Sequence, residues 1–213
     1  VLISEMEHHS NIGPWQMLCQ RKGAHLKVIP FQDKGELDLD KLDELLGEKT
    51  RIVALTHASN SLGTINPVKE VIRKAHARGI PVLVDGAQMV QHGKVDVKEL
   101  DFDFYVFSSH KIFGPTGSGV LYGKESMLEE LPPYQGGGDM VDQVSFDLTS
   151  YNTLPFKFEA GTTNYTGAIG LAAALDYLQT IGLEAVTQYE QELTAYALEK
   201  LEQIDPLKLY GNS

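Results

Sequence analysis

The sequence predicts an α/β protein built on a mostly parallel sheet with helices on both faces. Two observations carry this. Short runs of β-branched and aromatic residues alternate with stretches of helical periodicity over the first two-thirds of the chain, the order of βαβ units. The strand runs are apolar at successive rather than alternate positions, as in RIVALT (51–56) and IPVLV (80–84), so both faces of the sheet must be covered.

The elements follow in order. Residues 1–3 (VLI) read as the end of a strand, and 14–21 as a helix with Pro14 in its first turn. Residues 26–31 form a strand. In 38–46, Leu39, Leu42, Leu45 and Leu46 make one apolar stripe, and Asp38 is placed to cap the helix. After strand 51–56, residues 68–78 form a helix closed by Gly79. Strands 80–84, 104–107 (FYVF) and 119–122 come next. The pattern changes beyond Leu131. Residues 132–160 carry Pro132, Pro133 and Gly136 to Gly138, and a loop of that length in a compact domain is functional or disordered. Helical patterns at 165–181 and 183–204 flank Gly182, and 207–210 is expected to open a further strand. The expected division is residues 1–181 as the central part of a large domain and 182–213 as the start of a small C-terminal one.

The chain has 213 residues, 42% hydrophobic and 22% charged, an ordinary globular composition. It starts at Val1 without an initiator methionine and reads as a piece of something longer. No apolar run approaches the roughly 18 residues of a membrane span, and no signal peptide is visible, so no membrane partner is expected. A net charge of −11 with no compensating basic stripe argues against nucleic acid. The lone cysteine, Cys19, excludes an internal disulfide framework and suits a reducing, cytoplasmic setting.

In open α/β sheets ligands sit at the carboxyl ends of strands. There this sequence places Glu7-His8-His9-Ser10-Asn11, His57-Ala58-Ser59-Asn60, Asp85-Gly86-Ala87-Gln88 and Ser108-Ser109-His110-Lys111. Asp85 directly follows IPVLV and is expected to be buried, and a buried carboxylate needs a partner. Two roles stand open: an N-cap on the next helix, or an acid facing a cationic ring nitrogen. Lys111, between a buried strand and the turn Gly114-Pro115-Thr116-Gly117, is either a solvated surface charge or a site amine able to attack an aldehyde. Ser108 and His110 flank it with donors suited to a phosphate. His8 and His9 lack the accompanying ligands of a metal site, and no metal is expected. Gly136 to Gly138 do not follow a strand and open a helix, so they are no dinucleotide fingerprint. Cys19 lies on the apolar stripe of a short helix and reads as an inert buried thiol.

With Gly136-Gly137-Gly138 and Phe158-Glu159-Ala160-Gly161-Thr162 added, these motifs stand in an order that resembles the cysteine desulfurases of the SufS/CsdA type, in the class V aminotransferase superfamily. The resemblance runs the length of the chain. It implies pyridoxal 5′-phosphate (PLP) held as a Schiff base on Lys111, which later shuttles a proton. It implies Asp85 on the pyridine nitrogen, Gln88 on the phenolic oxygen, His8 stacked on the ring as an acid–base group, and Ser108 and His110 on the phosphate. Asn60 would lie near the substrate carboxylate and the ring. Thr162 would reach the cofactor phosphate of a neighbouring subunit, which implies a homodimer. The activity implied is conversion of L-cysteine to L-alanine, with sulfur passed as a persulfide to an acceptor protein of iron–sulfur cluster assembly. A selenocysteine lyase or another class V β-lyase is the alternative, and a non-catalytic α/β scaffold the alternative of another class. Ser109 stands where the family has glycine, and Gly161-Thr162-Thr163-Asn164 where it has Gly-Thr-Pro-Asn. The family's N-terminal phosphate loop and its C-terminal segment, with the persulfide cysteine and a substrate-binding arginine, have no counterpart here. The chain alone is therefore expected not to complete sulfur transfer.

Overall fold

The computed structural model describes residues 1–211. Its centre is a six-stranded sheet of β1 (Leu2–Ser4), β2 (Lys27–Ile29), β3 (Val53–Thr56), β4 (Val82–Asp85), β5 (Phe104–Ser108) and β6 (Gly119–Gly123), in the order β2-β1-β3-β4-β5-β6. All neighbours pair parallel except β5 and β6, which are antiparallel. The order reverses at β1, which has β2 on one side and β3 on the other. A crevice outside the carboxyl ends of the strands belongs at such a point.

The apolar runs explain the two-sided burial. Leu2, Val53 and Val82 lie in register, and with Leu55 and Val84 they join one continuous core with α2 (Leu39–Leu45) and α3 (Val68–His76). Ile3 and Ala54, one residue along each strand, point to the opposite face and are buried as well. Helix α2 is capped as expected, with Asp38 accepting from the amides of Asp40 and Lys41 at 3.1 and 3.0 Å.

Helix α1 (Gly13–Lys22) and the short α4 (Val97–Leu100) and α5 (Glu125–Glu130) complete the first part. The segment 132–160 is not a featureless loop. It contains the hairpin β7 (Val141–Val144) and β8 (Thr149–Tyr151), and Gly138 O accepts from Gly161 N at 2.9 Å, clipping its two ends together. Helices α6 (Tyr165–Ile181) and α7 (Leu183–Leu201) meet at 70° across Gly182, whose φ of 86° favours glycine. Residues 207–210 form no strand, and α7 stops at Leu201. A single apolar stretch has no neighbouring strand there to supply the backbone partners that a strand needs. No single helix among the described residues is long and apolar enough to cross a membrane.

The close approach at Gly86 fixes the turn after β4. A Cβ built on Gly86 would lie 2.0 Å from the Tyr105 ring, which is buried beneath it. Gly86→Ala is therefore expected to destabilise the protein by about 1–3 kcal/mol, read from the urea midpoint.

Candidate active site

The carboxyl ends of β1, β3, β4 and β5 bring the expected residues to one rim. Register places Thr56 beside Asp85, and Asp85 beside Val106, two residues before Ser108. The backbone continues the pairing past the strands, with His57 N donating to Asp85 O and Gly86 N donating to Val106 O, both at 2.8 Å.

Asp85 is 9% exposed. Its Oδ1 accepts from Ala87 N at 3.0 Å, and its Oδ2 makes no hydrogen bond among the described residues. No helix follows, because Gly86 leads into successive turns through His92, so the helix-cap role does not apply. One carboxylate oxygen thus holds the turn and the other is uncommitted among the described residues. Gln88 and Asn60 line a common cavity of about 240 Å³ with Ser59, Met89 and His92. Another hollow, of about 860 Å³, lies between α3 and α4 and contains none of the expected site residues.

Lys111 lies in a 3-10 turn, Ser109–Ile112, directly after β5. The residue is half-buried, and its amine makes no hydrogen bond or ion pair among the described residues. Ser109 explains why a serine fits where the family has glycine. Its backbone is not in the left-handed region; the positive φ of this turn falls on Phe113. Its fully buried hydroxyl bonds Ser118 Oγ at 2.6 Å and the Pro115 carbonyl, closing the base of the Lys111 loop. Helix α6 packs on that loop at close range. A Cβ on Gly170 would lie 2.9 Å from Pro115 Cγ, and Leu171 approaches Gly114. Asn164 caps α6 through Gly167 N at 3.0 Å, so the Thr163 departure leaves the start of the helix intact. Ser108 is half-buried at the strand end, and His110 is exposed beside Lys111.

His8 is exposed, and its Nδ1 accepts from Ser10 N at 3.2 Å, which leaves the proton of the neutral ring on Nε2. Its neighbour His9 lies with ring centroids 5.7 Å apart, and among the described residues no three His, Cys, Asp or Glu side chains converge as metal ligands. Thr162 is exposed ahead of α6, and its side chain makes no hydrogen bond among the described residues. Cys19 is buried in α1.

Sequence reasoning quoted Glu7, His57 and Tyr105 without giving them roles. Glu7 is buried and faces only donors: Ser4 Oγ at 2.5 Å, Thr56 N at 2.9 Å and Asn11 Nδ2 at 2.6 Å. Asn11 cannot reverse its amide, because its Oδ1 already accepts from the Trp15 indole at 2.9 Å. Burial raises the Glu7 carboxyl above its ordinary value, against the lowering effect of these hydrogen bonds. His57 Nδ1 shares a 3.0 Å hydrogen bond with the Tyr105 hydroxyl, and burial pushes the imidazole down to about 4. Burial, and then the Asp85 charge, raise the Tyr105 phenol. For Glu7 and His57 the available signal was a polar residue close after an apolar strand run; Tyr105, inside β5, carried none.

This sheet, with a lysine, an acid and an amide on its carboxyl rim, defines an α/β enzyme-type scaffold. Residues 1–213 match the aminotransferase class-V family model, and the chain belongs to that family. It is 55% identical over 212 residues to a cysteine desulfurase of Shigella sonnei, covering 99% of this chain and 52% of that protein. Among solved structures, the cysteine desulfurase CsdA of Escherichia coli superposes with a TM-score of 0.92 at 42% identity, covering 95% of this chain and 51% of CsdA. A lysine-to-alanine variant of C-DES, with glycine covalently linked to its PLP cofactor, matches at TM-score 0.85 and 28% identity, over 96% of this chain and 55% of that one. C-DES is also described as a cystine C–S lyase, in complex with its product cysteine persulfide. The chain spans about half the length of the curated relatives it matches.

Glu7→Gln puts an amide NH2 against donors and is expected to cost about 1–3 kcal/mol of stability in urea unfolding. His57 has a separate pH signature. Its folded value of about 4 lies below the ordinary 6.5, so between these values the native state binds fewer protons than the unfolded state. Stability from this group is complete above pH ~6.5 and is lost as pH falls toward 4, by at most about 3 kcal/mol. The Glu7 contribution runs the other way, falling as pH rises, but is shared by wild type and a His57→Gln variant. The difference between their unfolding free energies should therefore narrow through this window on acidification.

Proposed function

We propose that this chain forms the cofactor-bearing core of a PLP-dependent cysteine desulfurase. The observation that carries the reading is the convergence of Lys111, Asp85 and Gln88 on one rim, in a chain 55% identical to a cysteine desulfurase. The donor set fits the cofactor. Asp85 offers an uncommitted Oδ2 to a protonated ring nitrogen, Gln88 an amide to the ring oxygen, and Ser108 and His110 donors to a phosphate. Lys111 supplies an unpaired amine to hold the aldehyde carbon. When bound, PLP supplies an electron sink for breaking bonds at the substrate's α-carbon. Lys111 is the group that would accept and return a proton, and His8, with Nδ1 taken by the Ser10 amide and its proton on Nε2, would act as a donor from Nε2. Asn60 lines the same cavity as Gln88 and would lie near the substrate carboxylate.

The reaction proposed is L-cysteine to L-alanine, with sulfur leaving as a persulfide toward an acceptor protein of iron–sulfur assembly, as in the SufS type. The 28% likeness to the C–S lyase C-DES supports a class V β-lyase as the second reading, and the higher identity favours the desulfurase. We also propose a homodimer in which exposed Thr162 reaches the partner's cofactor phosphate, a cytoplasmic setting, and residues 182–213 as the start of a second domain. Of that segment, residues 212 and 213 lie outside the described residues.

The test is borohydride reduction of the PLP-reconstituted protein followed by peptide mapping. The expected result is a phosphopyridoxyl group on Lys111 and none on Lys111→Ala. Label elsewhere, or no label on folded protein, rejects the reading and favours a non-catalytic scaffold.

A further inference from the structure

Gln88 is held by a second amide. Gln91, three residues on, donates Nε2–H to Gln88 Oε1 at 3.1 Å, and both side chains are half-buried. The turn that carries them is anchored at its far end by α7. His92 O accepts from Thr187 Oγ1 at 2.6 Å, and His92 Nδ1 meets Glu190 Oε2 at 2.8 Å. The backbone from which Gln91 projects is therefore tied down at the residue that follows it. A primary amide has an acceptor end and a donor end. With its Oε1 taken, Gln88 keeps only its NH2 uncommitted, in a cavity shared with Ser59 and Asn60. An amide free to rotate presents either end, whereas an anionic ring oxygen accepts only the donor. Gln91 Oε1 itself is buried without a hydrogen-bond partner. Such an orphan costs about 1–3 kcal/mol, and an apolar side chain would fill this space without that penalty. The glutamine is thus explained by its contact with Gln88 rather than by packing.

We propose that Gln91 is a positioning residue, gripping the Gln88 carbonyl so that the Gln88 NH2 is turned to the ring oxygen of the cofactor. The inference rests on the PLP reading. Its effect belongs in the ionisation of the lysine-bound chromophore. A donor on the ring oxygen stabilises the deprotonated form, so loss of that donor moves the ionisation midpoint to higher pH.

The experiment is a pH titration of the visible absorbance of the full-length holoenzyme, for wild type, Gln91→Met, Gln88→Met and the double variant. Gln91→Met is expected to raise the midpoint by roughly 0.5–1 unit, a part of a charge-assisted hydrogen bond. Gln88→Met should raise it at least as far, and the double variant no further than Gln88→Met. If Gln91→Met does not fold, Gln91→Asn, an amide one methylene shorter, carries the same expectation. An unmoved midpoint in a folded Gln91 variant, with Gln88→Met shifted, overturns the proposal and leaves the PLP reading standing; so do additive shifts in the double variant. A wild type with no visible band removes both.

Discussion

Parallel strands end while still inside the protein, and their last polar groups need partners that water cannot supply. This constraint organises the whole rim. At β1 and β3 the partner is the Glu7 carboxylate, which takes the Thr56 amide, the Ser4 hydroxyl and the Asn11 amide together. The 3-10 turn that follows is thereby fixed to two strands, and His8 stands at its start. Burial disfavours the charge on Glu7 and the converging donors favour it, so the network holds only while every donor is in place.

The next two strand ends are solved differently. Tyr105 lies under Gly86 and bonds His57, forming a neutral layer beneath the turn that carries Asp85. Asp85 then uses one oxygen for its own turn, and the other makes no hydrogen bond among the described residues. The Lys111 loop is closed at its base by Ser109 and Ser118 and pressed from outside by α6, whose Gly167 and Gly170 permit the close approach. Binding groups thus stand on short turns whose feet are tied to the sheet, a way of keeping a mobile amine in a rigid frame.

Membership of the class-V aminotransferase family agrees with this arrangement. The motifs that carried the resemblance are the tied feet as much as the binding groups. Glu7 stands in the His8 motif, and Gly86 in the Asp85 motif. Ser109 departs from the family and still closes the loop, because the left-handed residue of the turn is Phe113.

The sequence by itself determined the sheet, the order of its helices, and the strand ends at which Asp85, Ser108 and Lys111 stand. These follow from local patterns: apolar runs give two-sided strands, Asp38 gives a cap, and a polar residue after an apolar run marks a rim. Tertiary structure decided what depends on distant partners. It turned 141–151 into a hairpin, denied 207–210 a strand, and joined His57 to Tyr105 across 48 positions and Glu190 to His92 across 98. Hydrogen bonds between elements far apart in the chain leave no periodic trace along it, so only the folded geometry shows what Glu7, His57 and Tyr105 hold together.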